Sequence, residues 1–180
     1  MRPCPGAHLL VVGLAAISIV TLPACGAGAP GATPGTDVAS DTVRGVVRLV
    51  GSEPLVTLLV VPSTGDAIMP RGAEGQLLRT LTGVEVMVRG RLTGDYAFDA
   101  GPRGARVFDM RQFVVRAVDG VAALDGILSR GDDGWMLTAF DGRRHPIAQL
   151  PSALAEQDGA RVYLVGPLDR APQAYGIIRR

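Results

Sequence analysis

Lysine is missing from all 180 residues, and the 18 cationic side chains are arginines. That excludes a lysine nucleophile or Schiff base. Cysteine occurs twice, as Cys4 and Cys25, and histidine twice, as His8 and His145. From Cys25 onward one of each remains, which is too few for a zinc site built from Cys and His. With no internal disulfide there, apolar burial must stabilise the fold. Aromatic side chains number eight. Charge of one sign is also lacking, because from Cys25 onward 17 arginines face 17 acidic residues. A general nucleic-acid binder needs an excess of positive charge to displace counterions, and this chain has none.

What is present begins at the N-terminus. Met1-Arg2 is followed by an apolar run from Leu9 to Leu22, then Pro23-Ala24-Cys25-Gly26. A short cationic start, an apolar stretch and small residues before a cleavage point form a secretory signal pattern. Fourteen apolar residues span about 21 Å as a helix, short of the roughly 30 Å hydrocarbon core, which argues against an uncleaved anchor. Leu22, Ala24 and Cys25 resemble the lipobox of bacterial lipoproteins. The resemblance implies cleavage before Cys25, so that residues 1–24 are the signal peptide. It also implies a diacylglyceryl group on Cys25 and an envelope location held by lipid. Gly26 in place of Asp implies the outer membrane by the same resemblance. Residues 25–41 then read as a Gly/Ala/Pro tether with an r.m.s. span of about 20 Å.

From about Thr42 the texture changes to short apolar alternations broken by Gly, Asp-Gly or Pro, an all-β pattern. In Val84–Leu92, residues Val84, Val86, Val88 and Leu92 share one face, and Glu85, Met87, Arg89 and Arg91 the other. This strand has a twin. Gly83, Val86, Gly90 and Leu92 recur at equal spacing as Gly159, Val162, Gly166 and Leu168. Gly45 matches Gly126 upstream, and the turn at Gly65 matches Asp141-Gly142. Helical candidates fall at Glu74–Leu81 and Ser152–Gln157, with Pro151 and Ser152 suited to the second start. Last strands follow at Val107–Val118 and Ala174–Arg179. The pattern is an internal duplication with its seam at Asp119-Gly120.

Each copy runs three strands, a short helix and two strands. This resembles the OB-fold, a five-stranded Greek-key barrel. The fold class expected is therefore all-β with short helices, as two tandem OB-like five-stranded barrels over residues 42–120 and 121–180. The packing between them is left open. Glycines inside strands read as bends.

The candidate ligand or partner loop is Thr93–Arg106, carrying Tyr96, Phe98, Arg103 and Arg106. It is about nine residues longer than its counterpart Asp169–Gln173. Two aromatic rings and two guanidinium groups suit stacking and anion contact. Asp132-Asp133 reads as a turn, His145 as a surface residue entering an edge strand, and Trp135 as core. Arg143, Arg144 and Arg161 read as a solvated cationic face. No carboxylate lies in an apolar stretch, and no nucleophile, base and orienter converge. The expectation is a lipid-tethered, non-catalytic binding or scaffolding module with Cys25 as the lipidation site. It needs no cofactor or metal, and its partners are the membrane and a protein or small ligand. Oligosaccharide or nucleic-acid binding is the alternative, by fold analogy alone.

Overall fold

Alternating apolar residues dictate strands along most of the chain, and the computed structural model describes residues 41–97 and 105–179 in that form. Cys25, the expected signal peptide and the expected tether up to residue 40 lie outside the described residues, as do Phe98 and Arg103. The first half comprises β1 (Asp41–Val50), β2 (Thr57–Val61), β3 (Ile68–Arg71), α1 (Ala73–Leu77), β4 (Val84–Ala97) and β5 (Ala105–Val118). The second comprises β6 (Val121–Gly131), β7 (Gly134–Ala139), β8 (Arg144–Ile147), β9 (Arg161–Val165) and β10 (Ala174–Arg179). The expected helices appear as α1 with a 3₁₀ turn over Leu78–Leu81, and as a 3₁₀ turn over Ser152–Leu154. The protein is all-β with short helices.

In the first half β1 pairs with β2 and β4, β2 with β3, and β4 with β5, all antiparallel, while β3 pairs with β5 in parallel. The circuit β1-β2-β3-β5-β4-β1 therefore closes. Val47, Val60, Val86, Val88, Phe108, Phe113 and Val115 fill its interior, and Leu78 and Leu81 enter from the helical segment. The second half repeats the pattern with β6 between β7 and β9, β8 beside β7, and β10 beside β9. Among the described residues β8 and β10 do not pair, so this sheet stays open. The Ala148 N–H donates to the Leu168 carbonyl at 3.0 Å beside the opening. Leu128, Leu137, Leu154, Val162 and Leu164 form the second core.

The repeat extends to individual hydrogen bonds. The Gly83 N–H donates to Val47 at 2.9 Å, and the Gly159 N–H donates to Leu128 at 2.8 Å. Gly45 faces Val86 on β4, and Gly126 faces Val162 on β9. A Cβ on Gly45 would lie 2.6 Å from the Val61 carbonyl oxygen, and one on Gly126 2.3 Å from that of Thr138. Each glycine thus admits the next strand's backbone at the bend. Gly126→Ala is expected to lower stability by about 1–3 kcal/mol, since backbone must shift to relieve the overlap; denaturant unfolding measures it.

The halves share one sheet. Asp119 and Gly120, at φ 49° and 79°, form a two-residue turn joining Val118 to Val121, with Ala117 opposite Ala122. Positive φ at both centres suits the tight hairpin that a twisted strand pair favours. The expected boundary at residue 120 falls at the tip of this hairpin. Ile178 belongs to the first core, and Tyr163 and Ala123 pack against it. Residues Val38–Arg180 accordingly form one compact unit.

Candidate functional site

The junction is held by a buried ion pair. β5 pairs with β3 only over Arg106–Asp109 and with β6 only at Ala117 and Val118. Between those stretches its edge meets side chains of the second half. Arg161 Nη2 donates to the Phe113 carbonyl at 2.6 Å, and the Val115 N–H donates to Asp125 Oδ2 at 2.8 Å. Arg161 Nε donates to Asp125 Oδ1 at 3.0 Å and Nη2 to Oδ2 at 2.8 Å. A bidentate guanidinium–carboxylate pair has replaced a strand on this edge, satisfying one carbonyl and one N–H.

The surroundings suit arginine and no other cation. The guanidinium carbon lies 4.2 Å from the Phe113 ring centroid and 4.4 Å from that of Phe140. Planar stacking on aromatic faces is a property of guanidinium. Glu74 on α1 reaches Arg161 Nη1 at 3.5 Å and Arg179 Nη1 at 3.6 Å. The Arg161 side chain is 4% exposed and that of Asp125 0%. The expectation of a solvated face is therefore wrong for Arg161, although Arg143 and Arg144 are exposed. Asp125, which the sequence does not single out, is buried with it.

A sequence signal for the pair exists in the repeat. Position 125 matches Arg44 of the first half, and position 161 matches Glu85. Arg44 Nε donates to Glu85 Oε1, so both halves carry an ion pair at the same place, with its polarity reversed. That contact holds the Arg44 pKa above its ordinary value, the hydrogen bond being the larger cause. The first pair is on the surface; the second is covered by β5. Tyr163, two residues beyond Arg161, has its phenol pKa raised by burial.

Beside the buried pair lies a cleft of about 320 Å³. The outer face of β4 and β5 supplies Met87, Arg89, Val114 and Arg116, and the second half supplies Leu124 and Phe140. Phe140, immediately after β7, is 46% exposed while its ring stacks on Arg161. Asp125 also borders the cleft. Arg89 and Arg116 are exposed and form no ion pair among the described residues.

The residues singled out in the long loop are distributed differently from the expectation. β4 and β5 run into the segment, with Tyr96 opposite Arg106 and Ala97 opposite Ala105. Arg106 is half-buried, donates its backbone N–H to Ala67 at 3.0 Å and reaches the Thr93 carbonyl through Nη2 at 3.4 Å. It braces the hairpin rather than reaching from a loop. Phe98 and Arg103 are not among the described residues. Asp132 and Asp133 form the exposed turn between β6 and β7, as expected. Trp135 packs on the second core, with Arg130 over its ring at 5.9 Å. His145, half-buried on β8, faces Leu137. Among the described residues no three His, Cys, Asp or Glu side chains gather as a metal site would need, and no helix is long and apolar enough to cross a membrane.

The chain matches no known protein-family model, no curated protein and no solved structure.

Proposed function

We propose that this chain is a lipid-anchored envelope protein, a non-catalytic binding or scaffolding module made from a duplicated OB-like unit, with the junction cleft as its ligand site. The lipobox resemblance around Cys25 supports the anchor. The OB-like reading is supported by the closed circuit of β1 to β5, with a helix between the third and fourth strands. Matching strand partners, apart from the β3–β5 pairing that the second half lacks, and matching glycine bonds in both halves support the duplication.

The observation that carries the binding role is Phe140. An exposed aromatic ring ordinarily has freedom to turn, whereas this one is backed by a buried guanidinium and borders a concave space. Rigid aromatic anchors beside concave surfaces are the usual energetic centres of recognition. Two arginines on the cleft are few for tracking a nucleic-acid backbone, which favours a protein or small ligand over a polyanion.

The test is chemical crosslinking of the intact anchored protein in cells, followed by affinity recovery. One dominant adduct, lost in Phe140→Ala and retained in Tyr175→Ala, is expected. Tyr175 is a comparably exposed aromatic that does not line the cleft. Equal recovery from both variants would remove the cleft as the ligand site.

A further inference from the structure

We infer that the junction cleft receives a small organic anion with an aromatic or apolar body. The inference rests on the cleft being the binding site and adds the class of ligand. The pairing register sets out its surface. Met87 faces Val114 across β4 and β5, and Arg89 faces Gln112. Arg116 follows Val114 by two residues on the same strand. An apolar step, Met87 with Val114, therefore lies between a guanidinium towards one end and a guanidinium towards the other. Phe140 lines the same cleft from the second half. A flat apolar body fits the step and the ring, and a carboxylate, sulfonate or phosphate fits a guanidinium fork.

The electrostatics point the same way. Two carboxylates border the cleft, and both are engaged. Asp125 is held by Arg161. Asp141 accepts the Arg143 N–H at 2.9 Å and lies 3.5 Å from Arg143 Nε. Arg89 and Arg116 have no such counter-charge among the described residues, so the cleft carries uncompensated positive charge. Its size, about 320 Å³, falls at the small end of ligand sites.

Two fluorescent probes separate the claims, 8-anilinonaphthalene-1-sulfonate and the neutral N-phenyl-1-naphthylamine, titrated into residues 38–180, which hold both cores. The sulfonate is expected to bind saturably, one to one, and more tightly than the neutral probe. Arg89→Gln with Arg116→Gln should weaken it about tenfold or more, with unfolding temperature unchanged. Arg48→Gln with Arg170→Gln should leave it as it was. If the neutral probe binds equally well, and Phe140→Ala abolishes both, the anion claim falls and the cleft stands. If neither probe binds, or Phe140→Ala changes nothing, the cleft reading falls with it.

The reversed ion pair supports an independent inference. We infer that Arg44–Glu85 keeps copies of this chain from joining head to tail. The second half docks on β5 through Asp125, which accepts the Val115 N–H, and Arg161, which donates to the Phe113 carbonyl. The repeat places Tyr175 and Ile177 of β10 where β5 has Phe113 and Val115. Tyr175 faces Leu164 as Phe113 faces Val88, and Ile177 faces Val162 as Val115 faces Val86. β10 pairs only with β9, so its outer edge has no strand partner among the described residues. The first half of another copy could therefore dock on that edge in the same way. It would bring Arg44 to an N–H and Glu85 to a carbonyl, donor against donor and acceptor against acceptor. Unpaired polar groups of this kind are costly to bury.

Arg44→Asp with Glu85→Arg restores the docking polarity. Sedimentation velocity should show concentration-dependent chains for this variant and no association of the wild type through this edge. Adding Ile177→Pro, which removes the edge N–H, should return the variant to single copies. A swapped variant that stays single with an unchanged melting temperature, or chains that survive Ile177→Pro, would overturn the inference.

Discussion

Arg161→Ala is expected to lower the stability of the compact unit by about 3–5 kcal/mol. The loss comes from what stays behind. Asp125 would keep a carboxylate in a site from which solvent is excluded, and the Phe113 carbonyl would lose its donor. Phe113 and Phe140 would lose the guanidinium between them. Asp125→Leu with Arg161→Met removes the unpaired charge as well, because an apolar pair of similar volume often replaces a buried ion pair at little net loss. Recovery should be partial, since the Val115 N–H and the Phe113 carbonyl still lose partners worth about 1–3 kcal/mol each when buried and unsatisfied. Equilibrium unfolding in urea distinguishes the three proteins. A single variant as stable as the wild type would show that the pair does not hold the halves together.

Cys25→Ser is expected to have the largest effect on location. Without the thiol no diacylglyceryl group can attach, and the apolar run from Leu9 to Leu22 is too short to hold the chain across a bilayer. Two acyl chains give stable anchoring where one gives marginal binding. The wild type should sediment with membranes and be released by detergent but not by high salt, and the variant should appear in the soluble fraction. Retention of the variant on membranes would contradict the lipid anchor.

Local pattern made much of the fold legible. The apolar face of β4 places Val84, Val86 and Val88 inside and Glu85, Arg89 and Arg91 outside, as alternation requires. Asp119-Gly120 marks the seam by its turn chemistry. The hidden part depends on contacts distant in sequence. Arg161 occupies the position of Glu85, an outer-face position within its own half. Nothing local reveals that β5 of the other half covers that face, and this is why Arg161 reads as part of a solvated face. The hairpin arm of β4 and β5 was obscured for a different reason. Main-chain pairing carries the strands to Ala97 and Ala105, through a register shift between Leu92 and Tyr96, in a stretch whose sequence, Thr93-Gly94-Asp95-Tyr96, does not alternate apolar and polar residues. The cleft is legible only after both halves are in place, because Arg89, Arg116 and Phe140 come from three strands or their ends.

Hydrogen–deuterium exchange of the full-length protein in membrane vesicles from its own cells, where the proposed anchor would hold it, set against residues 38–180 purified in buffer, tests the central claim most directly. A binding module whose ligand is resident in the envelope should show slower exchange in vesicles around residues 87–89, 112–116 and 139–141, with the cores unchanged. Equal exchange at those segments in both preparations, with protection confined to other surfaces or absent, would contradict the assignment of the junction cleft as the binding site.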